Sequence, residues 1–293
     1  MMKRMTTAPW LPAPMLERYA RDALAEDVGS GDITTDLLVP RATTVRATLV
    51  ARMAGVACGL ELAAVVFRTL DPTLEVELRA ADGDSVEAGA VLLTVTGAAR
   101  PILSAERVAL NFVGGLSGIA SLTREYVRAV EGTGARVVDT RKTTPGLRAL
   151  EKYAVRCGGA HNHRFGLSDA FMLKDNHRAA LASAGLALPD AVRAARSRLG
   201  HNVAITVEVD AIEQVAEALE AGADALLLDN MTPEQLALAV RQVAGQALTE
   251  ASGGITLESV RVAAESGVDL ISVGALTHSA PALDVALEFD WKD

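Results

Sequence analysis

From residue 135 onward, short apolar runs alternate with amphipathic stretches, and this alternation constrains the fold more than any other feature of the chain. Six runs have strand character: 136–140, 170–173, 204–209, 225–229, 249–251 and 270–273. The stretches between them carry helix signals. Thr232-Pro-Glu-Gln235 offers a capping box with proline at the first helical position. Residues 210–221 read as a helix that Gly222 stops, with Asp210 placed to cap its start. Strands that alternate with helices form parallel βα units, because a parallel pair needs a long crossover. No Gly-x-Gly-x-x-Gly opens any unit, so the alternation favours an α/β barrel over a dinucleotide-binding sheet.

Residues 15–108 read as mixed α and β. The pattern predicts helices over 16–25 and 60–70 and a strand over 44–53. The segment 80–97, with turns at Asp82-Gly83 and Ala88-Gly89, looks like half of a biotinyl or lipoyl hammerhead. A carrier domain needs a lysine at an exposed hairpin, and this segment has none, so a structural role is the better reading. A long helix over 106–130 follows, with Val108, Phe112, Leu116, Ile119, Leu122 and Tyr126 at helical spacing. Gly114, Gly115 and Gly118 weaken it locally, which marks close packing, either internal or between subunits. The helix over 146–157 carries Arg148, Lys152 and Arg156 along one face, read as a solvated stripe.

Net charge is −9 and the pI about 5.2, so the overall field repels nucleic acid and anionic membrane. No run of 18 apolar residues appears, and Pro9, Pro12 and Pro14 interrupt the N-terminal stretch where a signal peptide would lie. Cys58 and Cys157 offer neither a disulfide framework nor metal-ligand spacing. The expectation is a cytoplasmic protein with no nucleic-acid or membrane partner. Against this background one segment stands out. Between Arg141 and Arg178 there are eight Lys/Arg against three Asp/Glu, together with His161, His163 and His177. Such a local cationic excess in an acidic chain points to a small, highly charged anion.

Chemistry in α/β barrels sits at the C-terminal strand ends. There stand Arg141 and Lys142, then Lys174, Glu208 with Asp210, Asp229, Ser252-Gly253-Gly254 and Gly274. The last two strand ends suit a phosphate held by backbone N–H groups, or are ordinary tight βα turns. Glu208 and Asp229 suit hydroxyl groups, or a Mg²⁺ ion shared with a polyphosphate, or simply cap neighbouring helices. The histidines of the basic cluster read as donors to an anion, since nothing completes a zinc spacing. His201 and His278 read as isolated.

Several motifs together resemble the quinolinate phosphoribosyltransferase family (nicotinate-nucleotide pyrophosphorylase). They are Glu26-Asp-Val-Gly-Ser-Gly-Asp-Ile-Thr-Thr, Asp139-Thr-Arg-Lys-Thr-Thr-Pro-Gly, Glu151-Lys-Tyr-Ala-Val-Arg-Cys-Gly-Gly, His163-Arg164, Phe171-Met-Leu-Lys-Asp-Asn-His, Val207-Glu-Val-Asp, Leu227-Leu-Asp-Asn-Met and Ala251-Ser-Gly-Gly-Ile. The likeness runs from about Tyr19 to Phe289; Ala160 stands where the family often has a third glycine. It implies an N-terminal α/β sandwich, hammerhead-like, followed by an open, incomplete α/β barrel. The implied boundaries are an N-terminal extension (1–14), the sandwich with its connecting helix (15–132), the barrel (133–276) and a C-terminal helix that packs back on the sandwich (277–293).

The implied reaction converts quinolinate and phosphoribosyl pyrophosphate to nicotinate mononucleotide, pyrophosphate and CO₂, with Mg²⁺, in NAD biosynthesis. The resemblance assigns the quinolinate carboxylates to Arg107, Arg141, His163, Arg164 and Lys174. It assigns pyrophosphate to Lys142, the ribose hydroxyls to Glu208 and Asp229 near the metal, and the 5′-phosphate to Ser252, Gly253 and Gly274. Lys142, Lys174, Glu208 and Asp229 are the expected catalytic set. A homodimer is implied, with Arg107 reaching the partner's site. Alternatives are a relative associated with molybdenum transport loci, an aldolase using Lys142 or Lys174 as a Schiff base, and a ribose-phosphate sensor.

Overall fold

A computed structural model describes residues 11–291, so most of the expected N-terminal extension lies outside the described residues. The described residues form two compact units: 11–124, 149–159 and 279–291, and 125–148 with 160–278.

The first unit opens with helices α1 (Ala13–Asp27) and α2 (Ile33–Leu38), the latter capped by Asp32, whose carboxylate accepts the Thr35 N–H. Then follow β1 (Thr44–Ala51), β2 (Gly55–Val56), α3 (Leu60–Leu70), β3 (Glu75–Leu78), β4 (Ser85–Val86), β5 (Val91–Ala98) and α4 (Ala99–Ala129). The core gathers Leu49, Leu60, Leu62, Phe67, Leu92, Leu93 and Ile102. Helix α4 starts seven residues earlier than the pattern predicts, because β5 runs straight into it. Pro101 is accommodated in its first turn, where the helical N–H groups have no internal partner to lose.

The second unit begins with β6 (Arg136–Val138). Helix α5 (Arg148–Gly158) belongs with the first unit, after which the second resumes with β7 (Phe171–Leu173), α6 (Asp175–Ser183) and α7 (Leu188–Arg196). Next come β8 (Ile205–Val209), α8 (Gln214–Glu220), β9 (Ala225–Asp229), α9 (Pro233–Val243), β10 (Leu248–Ser252), α10 (Leu257–Glu265), β11 (Leu270–Ser272) and α11 (Ala275–His278). The six strands are parallel in the order β6-β11-β10-β9-β8-β7. No ladder joins β6 to β7 among the described residues; β6 instead meets His161 through a bridge from Val138. The barrel is therefore open, as expected. Alternate residues of the strands face opposite ways. Ile205, Val207, Leu226, Leu228, Ala251 and Ile271 form a fully buried apolar set, while Glu208 and Glu250 lie in one register row with Leu227 between them.

The structure corrects four expectations. The C-terminal segment is not a helix: β12 (Val285–Asp290) pairs antiparallel with β1 from Val285 to Asp290, completing the sheet β12-β1-β5-β3. Its sequence favours helix locally, but an open strand edge with a matching apolar row overrides propensity. Helix α8 starts at Gln214, and Asp210 exchanges hydrogen bonds with the Gln214 side chain rather than capping from the flank. Lys152 is not on a solvated stripe. It is buried beside Glu151, because α5 contributes Leu150, Ala154 and Val155 to the core along more than one face. Asp82 anchors α5 within the first unit: it accepts from Gly59 N and Leu60 N, both at 3.0 Å, and from the Tyr153 hydroxyl at 2.7 Å. Burial raises the pKa of Asp82. Finally, His278 is not isolated; its ring lies beside Gly274.

Cys58 and Cys157 are both buried free thiols. Burial, then the adjoining Cys157 thiol, pushes the Cys58 thiol up, which suits an inert packing role. No described helix is long and apolar enough to cross a membrane.

The glycines of α4 have an internal cause. A Cβ on Gly118 would stand 2.0 Å from the Pro281 carbonyl, and one on Gly114 3.1 Å from that of Leu283, whose N–H donates to Gly114 O at 2.9 Å. Gly118→Ala should lower stability by about 1–3 kcal/mol through forced backbone movement. Gly115→Ala, with nothing within 4 Å of its Cβ, should raise it by up to about 1 kcal/mol. Denaturant unfolding checks both; equal stability of the Gly118 variant and the parent would refute this packing.

Candidate active site

The site is built at the C-terminal edge of the parallel sheet. Its first element is Asp139, which follows β6 and is wholly buried. Its carboxylate accepts from Asn162 Nδ2 and from the His163 backbone N–H, each at 2.7 Å. Backbone bonds from Asp139 N to His161 O and from His161 N to Val137 O lay this loop along β6. Two arginines distant in sequence thereby become neighbours. Burial, then the Arg141 guanidinium beside it, lowers the pKa of Arg164. Arg164 Nη1 reaches the Ala170 carbonyl at 3.1 Å, while the buried Nε of Arg141 has no partner among the described residues. Two cationic forks held together, one with an orphaned donor, suit a planar anion with more than one carboxylate.

Lys142 is exposed beyond Arg141. Its backbone is held at both ends, by Thr140 Oγ1, which accepts its N–H at 3.1 Å, and by the Thr277 hydroxyl, which donates to its carbonyl at 2.6 Å. Its side chain passes close to Gly274, at the start of α11, with the His278 ring on the other side. Gly274 thus leaves room for two polar side chains where β11 ends.

Carboxylates gather on the other half of the edge. An open cleft of about 370 Å³ is lined by Asp175, Arg178, Glu208, Asp210, Asp229 and Asn230, among others. Glu208 is nearly buried; its Oε2 contacts Lys174 Nζ and its Oε1 accepts the Asp175 N–H at 3.4 Å. The structure therefore spends the Lys174 head group on Glu208. His177 Nδ1 accepts the Lys174 N–H at 2.9 Å, which fixes the start of α6. Asp229 Oδ2 accepts from Asn230 Nδ2 at 2.8 Å. Arg178 pairs with Glu217 at 2.6 Å.

Between the two halves lies Ser252-Gly253-Gly254. Asn230 takes a left-handed φ of 54° and donates its N–H to Ser252 O at 2.9 Å. Gly253 has φ +94°, and a Cβ there would stand 2.1 Å from Asn230 Oδ1. Only glycine satisfies both the conformation and the contact. Its bare backbone is suited to approach by phosphate oxygens.

Two residues that sequence reasoning left without a role belong to this site. One is Asp139. The other is Glu250, on β10, whose Oε2 lies 3.3 Å from His163 Nε2. The available signal was a glutamate in the middle of a predicted strand, where burial demands a partner. Arg107 is exposed on α4, in the first unit.

No group of three or more His, Cys, Asp or Glu converges as an ion cage among the described residues. The donor set fits Mg²⁺ in a limited way. Glu208 and Asp229 leave carboxylate oxygens toward the cleft, and Mg²⁺ commonly takes one or two protein carboxylates, completing its shell with water and substrate phosphates.

Comparison with known proteins bears on the same edge. Residues 119–288 match the family profile described as quinolinate phosphoribosyl transferase, C-terminal domain, and residues 32–117 match its N-terminal domain. The probable nicotinate-nucleotide pyrophosphorylase (carboxylating) of Bacillus subtilis is 42% identical over 273 residues, 93% of each chain. Its counterpart named nicotinate-nucleotide pyrophosphorylase (carboxylating) in Mycobacterium leprae is 45% identical over 277 residues, 92% of this chain and 95% of that one. The crystal structure of NadC from Streptococcus pyogenes superposes with a TM-score of 0.91 at 39% identity, covering 97% of this chain and 100% of that one.

The glycine turn gives a direct test. Gly254→Ala, with φ +59° and nothing within 4 Å of its Cβ, should cost about 1–2 kcal/mol. Gly253→Ala carries a similar backbone cost plus the Asn230 clash, and should cost about 2–4 kcal/mol. Thermal unfolding of the two variants side by side checks the order.

Proposed function

We infer the chemistry of this site from one premise: the chain belongs to the quinolinate phosphoribosyltransferase family. It is a pentosyltransferase of NAD biosynthesis, joining quinolinate to the ribosyl group of phosphoribosyl pyrophosphate and releasing pyrophosphate and CO₂. The "carboxylating" in its relatives' names describes the same reaction read from the nucleotide side.

One observation carries the assignment of residues. The Asp139 hydrogen bonds to Asn162 and His163 bring the loops of Arg141 and Arg164 together, and the buried Arg141 Nε has no partner among the described residues. Such a pair is stabilised when an anion lies between its members, and the adjacent carboxylates of a pyridine diacid supply two charges in one plane. In this reading Arg141 and Arg164 hold the diacid. His163, whose ring nitrogens face protein groups, supports Arg164 rather than offering a free donor. Lys174 lies near the diacid through its link to Glu208. Arg107 contributes from the partner subunit of a homodimer.

Glu208 and Asp229 accept the ribose hydroxyls. Ser252, Gly253 and Gly274 cradle the 5′-phosphate, and Lys142 receives the pyrophosphate. Mg²⁺, held by Glu208 and Asp229 with substrate oxygens, would neutralise the leaving anion. As the C1–pyrophosphate bond weakens, positive charge builds on the ribose, and the nearby carboxylates favour it electrostatically. The ring nitrogen then bonds to C1. The N-ribosylated ring is cationic and stabilises the electron pair left on C2 as CO₂ leaves, and C2 then takes a proton from water. No covalent link to the protein is needed; positioning and fixed charge supply the rate. The substrates are small water-borne ions, which suits a cytoplasmic location.

Carboxyl-labelled quinolinate should release labelled CO₂ only when phosphoribosyl pyrophosphate and Mg²⁺ are both present, and chelation should abolish release. Failure to release it under any condition would overturn the reading. Arg141→Ala and Arg164→Ala should each raise the KM for quinolinate about 10- to 100-fold, the worth of a charge-assisted hydrogen bond, with a smaller effect on the sugar substrate. Mixing Arg107→Ala chains with Arg141→Ala chains should restore activity through one complete site per heterodimer. Verified heterodimers without recovery would place Arg107 in the site of its own subunit.

A further inference from the structure

We propose that Glu250 is a positioning residue: it sets the tautomer of His163 and, through that ring, the backbone of Arg164. Its consequence for catalysis rests on the quinolinate-binding role inferred for Arg164, while its structural basis stands independently. Glu250 occupies the middle of β10, in register with Leu227 on β9 and Leu270 on β11, and is 2% exposed. A carboxylate there is costly, and a leucine would extend the apolar row, so the acid needs a reason in what it touches. Its Oε2 faces His163 Nε2 at 3.3 Å, and its Oε1 is buried with no partner among the described residues.

The other side of the ring completes the argument. His163 Nδ1 accepts the backbone N–H of Arg164 at 2.6 Å. A ring nitrogen that accepts carries no proton, so the proton stands on Nε2, toward Glu250. Asp139 meanwhile takes the N–H of His163 itself. Two buried carboxylates thus grip one residue, Asp139 by its backbone and Glu250 by its ring, and the ring holds the next N–H along. Without an acceptor at position 250, the opposite tautomer becomes competitive. It would set an Nδ1–H against the Arg164 N–H, donor to donor, and the loop would have to shift. Arg164, already crowded by Arg141, would lose its aim. Lys142 and Gly274, assigned to the phosphates, follow other strands, β6 and β11, and Ser252, though it follows Glu250 on β10, has its carbonyl held separately by the Asn230 N–H.

The test uses full-length protein labelled with ¹⁵N at histidine, with the His163 resonances identified from a His163→Asn variant. At neutral pH the ring should be protonated on Nε2 and bare on Nδ1. In Glu250→Leu, which packs with the flanking leucines but accepts nothing, the Nδ1–H form should appear and the KM for quinolinate should rise about tenfold or more. The KM for phosphoribosyl pyrophosphate should stay within about twofold. Glu250→Gln, which keeps an acceptor oxygen, should restore both the spectrum and most of the affinity. A parent ring protonated on Nδ1, or on both nitrogens, overturns the proposal, and so does a Leu variant with unchanged spectrum and KM. Should the Leu variant not fold, the parent spectrum still decides. A protein inactive toward quinolinate but with the expected spectra would sink the activity and leave the hold of Glu250 on His163 standing.

Discussion

Asp139 is buried where β6 ends, and a carboxylate without water must find its hydrogen bonds in the protein. It finds them in Asn162 and His163, the former 23 residues away in sequence. That requirement binds the loop after β6 to the loop that follows α5, and it brings Arg141 beside Arg164. The cationic half of the site follows from this contact. Without it the two guanidinium groups would separate, because nothing in their mutual electrostatics favours proximity.

The rest of the edge is ordered by the strand sequence of the sheet. With β11 and β10 lying between β6 and β9, the glycine-bearing turns stand between the cations and the carboxylates. In the proposed function, a pyridine diacid and a phosphorylated sugar that releases pyrophosphate would need such a graded surface: positive forks, bare backbone N–H groups, then hydroxyl acceptors. Lys174, just after β7, and Glu208, on the adjoining strand β8, join opposite charges at the far side. In the proposed function, fixed charges of this kind would need no reorganisation as the reaction proceeds, and that would be the physical basis of any effect on rate.

The first unit solves a different problem, that of holding a long helix against the chain terminus. Gly114 and Gly118 bring the α4 backbone within reach of residues 281–283, and the backbone bond from Leu283 fixes that approach. The chain then enters β12 and closes the edge of β1, which would otherwise present unpaired N–H and C=O groups. Close backbone packing and edge closure are therefore one arrangement.

Much of this was legible in the residues alone. The six parallel strands fall within a few residues of where apolar runs predict them, because strands buried on both faces must be apolar throughout and their ends must turn polar. The capping box at Thr232 and Gln235 is local chemistry and forms as written. The cationic cluster and the glycine turns were visible because charge excess and glycine placement are properties of a linear segment. What only the tertiary structure decided was pairing across distance. Residues 285–290 became a strand because β1 offered an edge. Lys152 went inside because α5 is packed along more than one face. Lys174 met Glu208 across neighbouring strand ends, and Glu250 met His163, because the strand order set these partners opposite one another. Local periodicity records which side of an element is apolar; it holds no record of which distant group will stand opposite, and buried charge is governed by that partner.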